Sequence, residues 1–287
     1  MNMYKTVPKK IAIRAYSISL IRNITKNFFK IKIPKKWLFI IGCYRSGTTL
    51  LKNLLSYHPK ISSLPEEGVL FTQYLSRPEE FGWTYMWLKC KDKIQITRKK
   101  EPEIALKIIK DWSPWFNSNS EIFLEKSIAN ILRIGWLEEN FQPAFFIGIV
   151  RNGLAVAESI RRKAQPSKYK NPIYKSQYPI ELCAKEWLES IEIMTKEFSK
   201  VSKWKLIRYE DLTQNPVEIL RNLWEWLDLK PEPLSFKKGV LEIRNKKIII
   251  KNRNSENLSR LTKNEKKKIW NIIKSGMIKM GYSNENY

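Results

Sequence analysis

Histidine is nearly absent: His58 is the only one in 287 residues. That removes most histidine-based catalysis and any metal site built on several imidazoles, so a general base has to be sought among the carboxylates. Cysteine is scarce too. Cys43, Cys90 and Cys183 stand far apart without the paired spacing of zinc ligands, so a reduced compartment and no structural metal are expected. No apolar run reaches the roughly 18 residues of a membrane span, and the N-terminus lacks a signal peptide's apolar stretch with a small-residue cleavage site. The expectation is a soluble, cytoplasmic protein. Acid is also in short supply, with 28 Asp and Glu against 53 Lys and Arg, a net charge of +25. Such a balance calls for an anionic partner. The basic residues are spread along the chain with no helix-turn-helix, zinc or RNA-binding signature, so nucleic acid is not the partner expected.

What is present reads as one α/β domain. Apolar residues make up 43% and aromatics 12%, enough for a substantial core but crowded for two full domains. Residues 1–35 form a separate extension, in which Ile13, Tyr16, Leu20, Ile24 and Phe28 make a stripe at helical spacing flanked by lysine and arginine. A basic amphipathic helix of this kind either lies on an anionic membrane, here peripherally at the inner surface, or packs its stripe on the domain. Residues 36–287 are assigned to the single domain.

The domain is organised around Trp37 to Tyr57. Trp37-Leu38-Phe39-Ile40-Ile41 is a continuous apolar run, the pattern of a strand buried on both faces of a parallel sheet. Leu50, Leu51, Leu54 and Leu55 then recur at helical spacing, so Gly42 to Thr48 is a strand-to-helix turn. Such a turn aims unpaired backbone N–H groups and the positive end of a helix at one point, which makes an anion site. The spacing Gly42, Gly47, Thr48-Thr49 copies the nucleotide-binding P-loop, except that Thr48 occupies the lysine position. Arg45 supplies a cation from inside the loop instead.

Further strands and helices follow. Glu121 to Ser127 reads as a strand bringing Lys126 to its C-terminal end, where ligands bind in parallel sheets. Ala144 to Val150 is a second fully buried strand, closed by Arg151. Gln165 to Tyr178 reads as a long loop and candidate lid. Trp204 to Leu212 is a strand running into a turn, Asn215-Pro216 opens a helix, and Thr262 with Glu265 is a capping box opening the last one. The aromatics between Arg77 and Ser120, among them Trp83, Tyr85, Trp87, Trp112, Trp115 and Phe116, are either core or a stacking surface for an acceptor.

Gly42-Cys43-Tyr44-Arg45-Ser46-Gly47-Thr48-Thr49 resembles the 5'-phosphosulfate loop of sulfotransferases that use 3'-phosphoadenylyl sulfate (PAPS), particularly the branch holding the Golgi carbohydrate and tyrosylprotein enzymes and their bacterial relatives. Five segments match in order over residues 37–282. The resemblance implies a three-layer α/β/α fold with a mainly parallel central sheet, similar to P-loop nucleoside triphosphate hydrolases. It implies that Arg45, Ser46, Gly47, Thr48 and Thr49 hold the 5'-phosphate. Arg151 and Ser159 match its second signature and grip the 3'-phosphate, with Arg161, Arg162 and Lys163 continuing a positive lining. Tyr209, in Arg208-Tyr209-Glu210-Asp211-Leu212, lies near the adenine, and Lys251 and Arg253, from a basic loop before the last helix, close the cofactor site.

For catalysis the resemblance implies that Arg45 and Lys126 stabilise developing negative charge. Glu66, with Glu67 as the alternative register, takes the proton of the acceptor hydroxyl. The cofactor is PAPS, leaving as 3',5'-adenosine bisphosphate (PAP), and no metal is required. The acceptor is a small-molecule, glycan or lipid hydroxyl. Small-phenol and steroid sulfotransferases use a histidine base and a loop lysine, neither of which is matched here, so His58 is assigned a structural role. Two rival classes stay open: a P-loop nucleotide kinase, and a non-catalytic protein that binds nucleotide or nucleic acid.

Overall fold

A computed structural model describes residues 29–283. The N-terminal apolar stripe ending at Phe28 lies outside the described residues. Strands β1 (Lys36–Ile41), β2 (Ile61–Ser63), β3 (Ile122–Glu125), β4 (Ala144–Val150) and β5 (Trp204–Arg208) form a five-stranded sheet in the order β2-β3-β1-β4-β5. All four pairings are parallel. β1 lies at the centre, and its five residues from Trp37 to Ile41 are buried, as the unbroken apolar run requires.

Alternation along the strands divides the core into two layers. On one face Trp37, Phe39, Ile41, Phe123 and Phe146 share a core layer with α2 (Lys91–Ile94), α3 (Pro102–Trp112), α4 (Ile134–Asn140), α5 (Gly153–Lys163), α6 (Ile180–Phe198) and α10 (Lys263–Lys279). The Trp37 ring meets Trp112, Phe116, Phe123 and Phe141 at centroid distances of 5.1–6.1 Å. Truncating so well packed a ring to alanine costs about 3–5 kcal/mol. On the other face Leu38, Ile40, Ile147 and Ile149 pack beneath α1 (Thr48–Leu55), α7 (Tyr209–Gln214) and α8 (Pro216–Trp226). Together these make the three-layer α/β/α architecture.

Of the aromatics from Trp83 to Phe116, Trp83, Trp87, Trp112, Trp115 and Phe116 are buried core. The expected capping box on α10 forms, with Thr262 and Glu265 bonding reciprocally. One element goes beyond the sequence reading. β6 (Leu234–Lys237), β7 (Val240–Ile243) and β8 (Lys246–Ile249) make a separate antiparallel sheet. Its Leu241 and Ile243 join the second core layer, and the stretch expected as a basic loop is β8 followed by an extended turn into α9 (Asn254–Leu258).

The strand order positions the site. From β1 the chain departs towards β2 on one side, and from β4 towards β5 on the other, so a crevice opens between their C-terminal ends.

Candidate active site

The turn after β1 is built as an anion cradle. Gly47 is the N-cap of α1 at φ 97°, ψ 8°, and no side chain caps the first turn of that helix, so its N–H groups stay open to a ligand. The position also demands glycine for space, because an added Cβ would stand 2.6 Å from the Tyr209 ring. The Ser46 hydroxyl in the same turn is buried and has no hydrogen-bond partner among the described residues. Thr48 is buried and Thr49 is exposed at the helix start. Open backbone donors, an orphaned hydroxyl and a positive helix end in one turn suit a phosphate-like anion.

Arg151, at the end of β4, braces this turn. Its guanidinium donates to the Arg45 carbonyl at 2.8 Å, to Asn254 Oδ1 at 2.8 Å and to Asn257 Oδ1 at 2.9 Å. It also stacks over Tyr209 with 4.5 Å to the ring centroid. Burial pushes its pKa down, while Tyr209 and Glu210 oppose that. Ser159 sits on α5 beneath the turn; its hydroxyl accepts from Arg45 Nε at 3.0 Å. Ser159 is buried and does not line the cavity. The two terminal nitrogens of Arg45 keep no protein partner among the described residues.

Lys126 follows β3 directly, and its Nζ lies 2.7 Å from Glu67 Oε1. The other Glu67 oxygen accepts from the Ile128 N–H at 3.4 Å. Glu66 is exposed, lines the same cavity and forms no ion pair among the described residues. Lys52, buried on α1, donates to the carbonyls of Leu64 at 3.1 Å and Pro65 at 3.0 Å, tying the approach to these carboxylates to the cradle helix.

These groups face one cavity of about 710 Å³, walled by Arg45, Lys126, Arg151, Lys251 and Arg253, with Glu66 and Glu67 its only acids among the described residues. Tyr44, Tyr85 and Ile128 supply its apolar side. The Tyr209 hydroxyl donates to the Lys251 carbonyl at 3.0 Å and accepts from the Arg253 N–H at 3.2 Å, fastening the segment after β8 over the crevice. Glu210 accepts from the Asn152 N–H at 3.1 Å, Asn254 Nδ2 at 2.6 Å and Tyr282 Oη at 2.8 Å.

Several expectations change here. Residues 165–178 contribute nothing to the cavity wall. Asn171 anchors that loop to the Gly82 carbonyl at 2.8 Å instead. Arg161 pairs with Glu265, and Arg162 with Glu158 at 3.0 Å; neither they nor Lys163 lines the cavity. Both arginines are drawn to carboxylates on the helical layer. His58 accepts from the Lys60 N–H at 3.1 Å through Nδ1, so Nε2 carries the proton and donates to the Lys230 carbonyl at 3.0 Å. That is the structural role expected of it.

Sequence reasoning passed over Lys52, Glu125, Asn254 and Asn257. A buried Glu directly before the strand-end lysine was one available signal, since an ionisable side chain on a strand between buried apolar residues needs dedicated partners. Glu125 has them: Gly68 N–H at 2.7 Å, Ser127 Oγ at 2.5 Å and Asn130 Nδ2. Burial raises its pKa, and the bonds from Ser127 and Gly68 pull it back down. Among the described residues no cluster of His, Cys, Asp or Glu is arranged to hold a metal ion.

A parallel sheet in the order 2-3-1-4-5 with a glycine-pivoted anion cradle after its central strand defines a P-loop-like α/β domain, here with Thr48 at the loop-lysine position and Arg45 and Lys126 lining the same cavity. Within that class the chain belongs to the sulfotransferase family, whose model matches residues 38–233. It is 26% identical over 210 residues to a protein-tyrosine sulfotransferase of Drosophila melanogaster, covering 67% of this chain and 38% of that protein. It is 27% identical over 206 residues to protein-tyrosine sulfotransferase 1 of Danio rerio, covering 67% and 53%. The chain therefore spans between 38% and 53% of the length of these two curated relatives. In fold it is similar to a sulfotransferase from Mycobacterium avium, with a TM-score of 0.52 at 11% identity, covering 95% of this chain and 83% of that one.

Proposed function

We propose that this protein transfers a sulfuryl group from PAPS to a hydroxyl acceptor. The observation that carries the reading is the placement of Lys126, Glu67 and the two free Arg45 nitrogens around one cavity whose far wall is the anion cradle. The residues fit the nucleotide: Gly47, Thr48, Thr49 and the orphaned Ser46 hydroxyl suit its 5'-phosphate, and Arg151, Lys251 and Arg253 its 3' side. When bound, PAPS supplies an activated sulfuryl group.

The protein's own contribution is positioning and charge. Arg45 and Lys126 would offer positive charge to the nucleotide's leaving group as it becomes negative. A carboxylate beside Lys126 removes the acceptor's proton, and we assign that task to Glu67. It is held by Lys126 and the Ile128 N–H, whereas Glu66 is a freely exposed side chain. An anchored carboxylate is the better general base, because proton transfer depends on a fixed approach. Tyr44, Tyr85 and Ile128 then form the wall against which the acceptor's carbon framework rests.

The test is incubation with labelled PAPS and pooled sugar, lipid, small-alcohol and tyrosyl-peptide acceptors. A sulfated product should appear, and Lys126→Ala and Arg45→Ala should each lower turnover about 100- to 1,000-fold. Failure of the folded protein to take up PAP in calorimetry would remove the basis of the reading.

A further inference from the structure

The geometry points to Glu125 as a positioning residue that clamps the Glu67–Gly68 peptide and so sets the Glu67 carboxylate against Lys126. The inference rests on the sulfotransferase reading for its functional meaning and on the geometry alone for the clamp.

Side chains alternate along a strand. Lys126 therefore points into the cavity while its neighbours Glu125 and Ser127 point together to the other side. Those two meet the backbone that follows Glu67: Gly68 N–H donates to Glu125 Oε1 at 2.7 Å, and Val69 N–H to Ser127 Oγ at 3.3 Å. The Gly68 carbonyl is held as well, accepting from Trp112 Nε1 at 3.0 Å. The Glu67–Gly68 peptide is thus held by its N–H, and the Gly68–Val69 peptide after it by both its carbonyl and its N–H.

The fit is close. A Cβ at Gly68 would stand 2.7 Å from Glu125 Oε1 and 2.7 Å from Trp112 Cζ2, so any larger residue would push the segment out of the clamp. A consecutive Glu-Lys-Ser on β3 and the residues just beyond it thereby fixes both partners of the 2.7 Å pair: Lys126 directly, and Glu67 through the peptide after it. A fully buried carboxylate is costly unless its bonds are complete, and here that carboxylate is spent on backbone placement while remaining out of the cavity.

Asn130 sharpens the expectation. Its Nδ2 donates to Glu125, while its Oδ1 is buried without a partner among the described residues. A glutamine at 125 would still offer an oxygen to Gly68, and its amide N–H would find Asn130 Oδ1 after a flip of the Asn130 amide.

The test uses the whole chain and reads backbone amide exchange together with turnover in the pooled-acceptor assay. Glu125→Ala should speed exchange at Gly68 and Val69 about tenfold or more, leaving Gly47 to Leu51 unchanged, and Glu125→Gln should restore most of the protection. Glu125→Ala should also lower kcat about 100-fold while KM for PAPS stays within about twofold. In a Glu67→Gln background it should lower kcat no further, since an effect exerted through Glu67 has nothing left to act on. Unchanged exchange in Glu125→Ala, or a full additional loss of kcat in the double variant, overturns the clamp. If Glu125→Ala does not fold, Gly68→Ala displaces the same peptide from within and is held to the same exchange and kcat criteria. Exchange is measured without turnover, so a chain that binds no PAP and sulfates nothing defeats the sulfotransferase reading while the clamp is still decided by exchange.

Discussion

Arg151 holds the turn that carries Arg45 by its main chain: the guanidinium meets the Arg45 carbonyl at 2.8 Å, across the crevice between β1 and β4. The same side chain reaches Asn254 and Asn257 on α9, so one buried cation joins the cradle to the C-terminal segment. Arg151→Ala is expected to destabilise the protein by about 2–4 kcal/mol, because it leaves buried carbonyl oxygens without donors. Arg151→Lys should recover little, since an ammonium cannot reproduce three divergent bonds. Thermal melts of the two variants check this; a lysine variant matching the wild type would show that charge alone suffices.

Gly47 combines a left-handed backbone with a close approach to Tyr209. Gly47→Ala should cost about 1–3 kcal/mol in stability, from the strained φ alone. Because the ring must also shift, and Tyr209 secures Lys251 and Arg253, PAP affinity should fall about tenfold or more. Calorimetric titration of the variant with PAP decides it, and unaltered affinity would separate the cradle from nucleotide binding.

The two adjacent carboxylates can be told apart kinetically. Glu67→Gln should lower kcat about 100- to 10,000-fold with little change in KM for PAPS, as loss of a general base requires. Glu66→Gln should remain within about threefold of the wild type, as expected for an exposed side chain. The opposite ranking in the same assay would transfer the proton-accepting role to Glu66.

Glu186 gives a pH signature remote from the chemistry. Its carboxyl is fully buried on α6, and burial lifts its pKa well above 4.5, although bonds from the Leu88 and Trp87 backbone oppose the rise. A folded-state pKa raised in this way favours the folded state fully below the unfolded value near 4.5. The advantage is lost as pH climbs from there through the folded value. Glu186→Gln keeps an acceptor for the Leu88 N–H, donated at 3.0 Å in the wild type, and carries no charge. Its stability relative to the wild type should therefore rise between pH 5 and pH 8, measured by urea denaturation across that range; a constant difference would show that Glu186 does not titrate there.

The sequence legibly places the parts that depend on contiguous residues. The run from Trp37 to Ile41 emerges as the central strand, and Gly47 with the following leucines as the cradle and its helix. Lys126 arrives at a strand end as its neighbours imply. Less visible are the groups whose meaning comes from distant partners. Glu125 and Gly68 are 57 residues apart in sequence, Arg151 and Asn257 are 106 apart, and no local pattern of either segment announces the other. The stretch from Gln165 to Tyr178 is a further case: its composition marks it as a loop, but only the anchor to Gly82 shows which surface it packs on.

What the chain's sequence settles alone is local chemistry: apolar periodicity assigns the buried strand and helix faces, and the glycine and hydroxyl spacing makes a turn with open N–H groups. Those outcomes follow from short-range sterics and hydrogen bonding, which neighbouring residues control. Which carboxylate meets Lys126, where the guanidinium of Arg151 spends its bonds, and which of the cations face the cavity were decided only by tertiary packing. Each depends on how strands from separate parts of the chain fall beside one another, and a charge's role is set by the partners and the burial it finds there.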